Sequence, residues 1–111
     1  MAFDGTVRLN EDLLPHLRLT EKQIAEGLEK TRQKVSRRVQ KFRGDRPWPT
    51  LSGQTAVLVD DGLASGFTLL VAVEAVRRLQ AREIVVAVPT GSADRVRKVA
   101  REVDVLYCAN I

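Results

Sequence analysis

One stretch of sequence decides the fold, Ala56-Val57-Leu58-Val59-Asp60-Asp61-Gly62-Leu63-Ala64-Ser65-Gly66-Phe67-Thr68. Its apolar start is rich in β-branched residues and is typical of a buried strand, and the amphipathic residues after it predict a helix. A loop between a strand and a helix N-terminus presents unpaired backbone N–H groups and the positive end of the helix dipole, which favour an anion. The two carboxylates suit hydroxyls or a divalent cation instead. The stretch therefore predicts a site for a ligand such as a sugar phosphate.

The second half of the chain repeats this alternation of strand, loop and helix. Strands are predicted at residues 56–60, 84–88 and 105–108, and helices at residues 68 to about 80 and 93 to about 102. Continuous apolar strands that alternate with helices predict a parallel sheet covered on both faces. The predicted fold class is therefore α/β, with a mainly parallel sheet flanked by helices.

The first half is dominated by one long basic amphipathic helix, predicted from Thr20 to about residue 42. Thr20 followed by Gln23 forms a capping-box pattern, and Gly44 is expected to end the helix. Its apolar residues recur at helical spacing and form one stripe. The members of this stripe are Ile24, Leu28, Val35, Val39 and Phe42.

The first nineteen residues carry weaker patterns. Residues 6–9 follow the turn-like Asp4-Gly5 and predict an edge hairpin or a short strand. Residues 10–12 predict a short helical turn that ends before Pro15. Together these patterns predict a single domain over residues 1–111, with residues 1–50 forming the first strand and long helix and residues 51–111 the alternating core.

Charge is concentrated in one element. The net charge of +4 lies in the first half of the chain, and eight basic residues against one acid fall between Lys30 and Arg46. The single cysteine, Cys108, excludes an internal disulfide framework and is expected to be a small core residue. No targeting segment and no membrane-spanning run is apparent, which predicts a cytoplasmic protein with no membrane partner.

The central stretch resembles the phosphoribosyl-pyrophosphate-binding motif of the type I phosphoribosyltransferases. That motif has apolar residues, two adjacent acids, and then small and hydroxyl residues that end in Thr or Ser. Gly62 stands where a larger apolar residue is common, and Ser65 replaces a frequent threonine but keeps the hydroxyl. The similarity extends more loosely to Pro89, because a strand that ends in Val-Ala-Val-Pro often follows in the family.

The resemblance implies a role for each residue of the motif. Asp60 and Asp61 would be the catalytic pair, hold the ribose hydroxyls and stabilise developing positive charge on the sugar. The loop would bind the 5-phosphate through backbone N–H groups and hydroxyls. Mg²⁺ is implied with the pyrophosphate of the substrate, and no protein metal ligand is expected. The phosphate-binding residues implied are Leu63, Ala64, Ser65, Gly66, Phe67 and Thr68.

Family members also place a strand and a pyrophosphate-binding loop well upstream of the acidic motif. This chain has no such element before Asp60, so the resemblance implies a member truncated at the N-terminus, a fragment, or a chain whose missing half a partner supplies. Catalytic transfer to a base depends on that missing loop.

Two other functions stay open. One is a non-catalytic domain that senses a ligand or is purely structural, having kept the sugar-phosphate pocket. The other is nucleic-acid binding through the basic segment 30–46, for which a solvated helix face is the favoured explanation. If the core does not cover the apolar stripe of the long helix, the stripe further predicts self-association into a homo-oligomer.

Overall fold

The computed structural model describes residues 1–11 and 13–111. The chain forms two compact units, Met1–Trp48 and Pro49–Ile111. No helix in the described residues is both long and apolar enough to cross a membrane.

The first unit contains the short helix α1 (Leu14–Leu17) and the long helix α2 (Glu21–Arg43). The predicted capping box of α2 is confirmed: the Thr20 hydroxyl accepts from the Gln23 N–H at 3.2 Å, and the Gln23 side chain accepts from the Thr20 N–H at 2.8 Å. Gly44 ends the helix with a φ of 58°, as predicted. No residue of α2 is buried, and Phe42 of the apolar stripe is 68% exposed.

Two predictions for the start of the chain are wrong. Residues 6–9, all within the described part, form no strand, because the Asp4 carboxylate accepts from both the N–H and the hydroxyl of Thr6 and closes a turn instead. The predicted helical turn starts as expected, because the Asn10 carbonyl accepts from the Leu14 N–H at 3.0 Å, but its predicted end before Pro15 is wrong, since α1 begins at Leu14 and contains Pro15. Proline fits the first turn of a helix because the N–H that it lacks has no partner there. Asp12 of the predicted turn lies outside the described residues.

The second unit is an α/β sheet of three parallel strands in the order β1-β2-β3. The chain runs through β1 (Thr55–Val59), α3 (Phe67–Arg78), β2 (Glu83–Thr90), α4 (Ala93–Ala100) and β3 (Val105–Asn110). All five predicted elements are confirmed, with ends that differ by at most two residues. Residues of both helices join one apolar cluster with the same face of the sheet, so α3 and α4 lie on that face, as two successive right-handed crossovers in one direction would place them.

The apolar core of the second unit lies between this face and the two helices. Ile84, Val86 and Val88 of β2 are buried, together with Val99 of α4. The opposite face differs from the prediction of a sheet covered on both sides, because Val59 is 75% and Tyr107 64% exposed there. The continuous apolar run of β1 therefore does not mean burial on both sides within this unit.

Candidate functional site

The acid pair lies directly after the last paired residue of β1. The Asp60 N–H donates to the Ala87 carbonyl at 3.3 Å, so the backbone still follows β2 at this residue. The Asp60 carboxylate accepts from the Asp61 N–H at 2.9 Å, which ties the two acids into one local turn. Asp60 is half-buried and Asp61 is exposed. Parallel strands carry ligand sites at this carboxyl end, so both acids lie where such a site is expected.

The chain returns to the sheet at Leu63 after the acids. The Leu63 N–H donates to the Thr90 carbonyl at 2.9 Å, and Leu63 forms an isolated parallel bridge with Gly91. Val59 pairs with Ala87 and Leu63 with Gly91, so the partner lies 28 positions further along the chain in both pairs. Residues 60–62 therefore connect two residues that pair with β2 and the residue after it in the same register.

Gly66 ends the loop and begins α3. It has a φ of 75°, a left-handed conformation that side chains with a Cβ rarely adopt, and it is buried. A Cβ at this position would lie 3.2 Å from a methyl group of Val99 and 3.7 Å from one of Leu63. Glycine is thus required both by the backbone conformation and by the close packing beneath it. Residues 63–68, which include the first two residues of α3, are named the anion loop.

The anion loop leads into the N-terminus of α3, a helix of 12 residues. The first N–H groups of a helix have no partner within the helix and point out of its end with the positive pole of the dipole. The Ser65 hydroxyl accepts from the Phe67 N–H at 3.2 Å, so the hydroxyl already faces these N–H groups. This arrangement can hold an anion without any cationic side chain.

The acids and the anion loop line one cavity of about 210 Å³. It brings together all but one of the predicted site residues; the exception is Phe67, which is half-buried at the start of α3. Gly62 and Leu69 also line it and were missed, although Gly62 lies inside the recognised motif. The complete lining is Asp60, Asp61, Gly62, Leu63, Ala64, Ser65, Gly66, Thr68 and Leu69.

A second, apolar cleft of about 460 Å³ opens at the same edge of the sheet. It includes Val59, the residue before the acid pair, and its rim carries the exposed ring of Tyr107. Sequence reasoning missed it because it joins residues of three strands. The lining residues are Val59, Ala87, Val88, Pro89, Tyr107, Cys108 and Ala109.

Other groups singled out in the sequence lie outside the cavity that the acid pair lines. Cys108 is half-buried, and its thiol donates to the Asn110 carbonyl at 3.4 Å. In the first unit, Trp48 stacks on Phe3 with the ring centroids 4.5 Å apart, and the Arg43 guanidinium lies 4.1 Å from the Trp48 ring centroid. In α2 the hydrogen bond from Arg32 lowers the pKa of Glu29 below its usual value. Among the described residues, no group of three or more His, Cys, Asp or Glu side chains could hold a metal ion.

The parallel sheet, with a small-residue loop leading into a helix at its carboxyl edge, defines a class of α/β domains whose ligand sites lie at that edge. The particular family follows from comparison with known families. The family model described as the phosphoribosyl transferase domain matches residues 14–106, so the chain belongs to this family.

Individual relatives agree with the family. Two proteins of Mycobacterium tuberculosis, from strains CDC 1551 and H37Rv, carry the name "Putative phosphoribosyl transferase" and are each 34% identical over 105 residues. The match covers 95% of this chain but 24% of theirs, so the chain spans about a quarter of the length of these relatives. The crystal structure of TT1426 from Thermus thermophilus superposes with a TM-score of 0.76 at 25% identity, over 100% of this chain and 52% of that one.

Proposed function

We propose that residues 60–68 bind phosphoribosyl pyrophosphate, or a related ribose 5-phosphate compound, for transfer of the phosphoribosyl group to a base. The observation that carries this proposal is the one cavity in which two carboxylates meet an anion loop at a helix N-terminus. A ligand with hydroxyls at one end and a phosphate at the other matches both halves of this cavity. Membership of the phosphoribosyl transferase family supports the same ligand.

The 5-phosphate would bind to the anion loop. The backbone N–H groups of Ala64, Ser65, Gly66 and Thr68 would supply the donors together with the hydroxyls of Ser65 and Thr68. The Phe67 N–H donates to the Ser65 hydroxyl and would act through it. Leu63 holds the start of the loop against β2. Hydrogen bonds to a charged oxygen are about twice as strong as those between neutral groups. The positive pole of α3 adds to them, so the loop needs no lysine or arginine.

Asp60 and Asp61 would hold the ribose. Ionised carboxylates accept hydrogen bonds from hydroxyls, and the turn that ties the Asp60 carboxylate to the Asp61 N–H fixes how the pair is presented. In the transfer reaction, the bond from the anomeric carbon to the pyrophosphate oxygen breaks, a bond to a nitrogen of the base forms, and the base loses its proton to solvent. A carboxylate beside the sugar stabilises the positive charge that develops on it.

Mg²⁺ would reach this site with the pyrophosphate of the substrate. Magnesium usually keeps several of its waters when it binds with substrate phosphates, so the two acids that line the cavity would meet the ion through metal-bound water while they hold the ribose. When bound, the ion offsets negative charge on the leaving pyrophosphate. The apolar cleft that includes Val59 has a volume of about 460 Å³, in the range of small-molecule sites, and would take a planar base beside the sugar.

Calorimetric titration tests the proposal directly. Ribose 5-phosphate, and phosphoribosyl pyrophosphate with Mg²⁺, should bind the wild-type chain, and Asp60→Asn and Asp61→Asn should each weaken binding. Loss of a charge-assisted hydrogen bond of about 1.5–3 kcal/mol corresponds to about 10-fold to 100-fold in the dissociation constant. Asp94→Asn is the matched control, because its carboxylate is exposed on α4 and outside the cavity. Absence of binding by the wild-type chain would refute the proposal.

Pyrophosphate release with a panel of bases separates catalysis from binding. Release that depends on a base supports transfer, whereas binding without release supports a non-catalytic, ligand-sensing domain. Nucleic-acid binding through segment 30–46 and formation of a homo-oligomer through the α2 stripe remain predictions. Retention on DNA that disappears with added salt would support the first, and a sedimentation mass above that of one chain the second.

A further inference from the structure

The geometry points to Gly91 as the residue that positions the anion loop, although it lies outside the cavity. Gly91 directly follows β2 and is separated from the loop by more than twenty residues of sequence. As a positioning residue it touches the loop and is not expected to touch the ligand. The inference rests on the proposed function, because it concerns how the phosphate-binding part of the same site is held.

The contact between Gly91 and Leu63 leaves no room for a side chain at residue 91. A Cβ on Gly91 would lie 2.8 Å from the Cβ of Leu63 and 3.5 Å from one of its methyl groups. Carbon atoms in contact normally stay about 3.5–4.0 Å apart, so the first distance cannot persist. The nearest atom of Leu63 is its Cβ, and the position of a Cβ does not depend on the rotamer. A change of rotamer alone therefore does not relieve the clash. The backbone of one of the two residues must move.

Two other neighbours, Asn110 and Val96, restrict where residue 91 can move. Its N–H donates to the Asn110 carbonyl at 3.1 Å, which joins it to the end of β3. The Cβ that meets Leu63 would also lie 3.2 Å from a methyl group of Val96 in α4. Residue 91 cannot retreat easily, so a side chain there is expected to displace Leu63.

Leu63 transmits this displacement to the anion loop. Its side chain packs against both glycines, because a Cβ on Gly66, just before α3, would lie 3.7 Å from Leu63, and a Cβ on Gly91 would lie closer still. Leu63 is buried, with 4% of its surface exposed, so it cannot turn out to solvent without loss of core packing. A shift of Leu63 therefore moves the backbone donors that follow it, and hydrogen bonds to an anion weaken when donors lose their alignment.

The test is a size series at residue 91. Gly91→Ala should weaken binding of ribose 5-phosphate modestly, and Gly91→Val should weaken it by about tenfold or more, the ratio that about 1.4 kcal/mol produces. Amide NMR signals of residues 64–68 should shift in both variants, while those at the start of β1 stay in place. Val96→Ala is the control, because it removes packing beside Gly91 but leaves the contact with Leu63. It should lower stability without the loss of affinity.

Three outcomes would overturn the inference. The first is a Gly91→Val variant that binds ribose 5-phosphate as tightly as wild type. The second is a Val96→Ala variant that loses as much affinity as a Gly91 variant of the same stability, and the third is unshifted amide signals of the loop. If Gly91→Val does not fold, Gly91→Ala and Leu63→Val test the same contact from its two sides. The NMR shifts need no ligand. A wild-type chain that binds no ribose 5-phosphate would therefore refute the proposed function, while the role of Gly91 is still decided by the loop amides.

Discussion

Replacement of Gly66 by alanine is expected to destabilise the second unit through backbone strain. Gly66 has a φ of 75°, and the left-handed conformation costs an L-residue about 1–2 kcal/mol. The new Cβ would also lie 3.2 Å from a Val99 methyl group, which is tighter than ordinary contact. Val99 is fully buried and has little room to yield. Strain and contact together should lower the free energy of unfolding by about 2 kcal/mol.

A urea titration followed through amide NMR signals of β2 measures this effect within the second unit. A loss of about 2 kcal/mol should lower the midpoint by about 1–2 M, given the usual dependence of stability on urea for small domains. Gly66→Asn separates the two causes, because asparagine adopts the left-handed conformation more readily but keeps the same Cβ. It should lie between wild type and Gly66→Ala. An alanine variant as stable as wild type, or an asparagine variant no better than alanine, would refute the strain argument.

Three further predictions concern stability and charge. Val86→Ala empties a fully buried site in β2 and should cost about 2 kcal/mol in chemical denaturation, whereas the same change at the exposed Val57 should cost little. Asp104→Ala removes the carboxylate that accepts from the amide at the start of β2 at 2.7 Å and should cost about 1 kcal/mol, and Asp104→Asn less because it keeps an acceptor. In a pH titration by NMR, the pKa of Glu29 should lie below its ordinary value and rise toward it in Arg32→Gln, because the hydrogen bond from Arg32 is the largest of the causes that lower it. Since the folded pKa is lowered, the stabilisation is present above the unfolded pKa and is lost as pH falls through the folded one.

The alternating half of the chain could be predicted because its signals are local. The β-branched run at residues 84–88 predicts a strand, and the capping box of Thr20 marks the start of a helix, each from residues close together in sequence. Residues 6–9 show the limit of that reasoning. A strand exists only with a partner, and the Asp4 turn offers the backbone of Thr6 a different set of hydrogen bonds.

The candidate site was likewise predicted only where its residues are close together in sequence. Its cavity is lined by residues between Asp60 and Leu69, so a contiguous motif was enough to predict most of them. Gly91 and the apolar cleft depend on which residues become neighbours across strands. That information lies in the register of β1, β2 and β3, which the sequence of any one strand does not contain.

The shared register on either side of residues 60–62 restricts how this segment can vary. Because Leu63 resumes the pairing that Val59 leaves, the three residues between them fill a gap of fixed length. An inserted or deleted residue there would displace Leu63 from its place beside Gly91. The turn that connects Leu63 to α3 would move with it. The strand register therefore fixes the number of residues between Val59 and Leu63, independently of what the side chains of these residues contribute to binding.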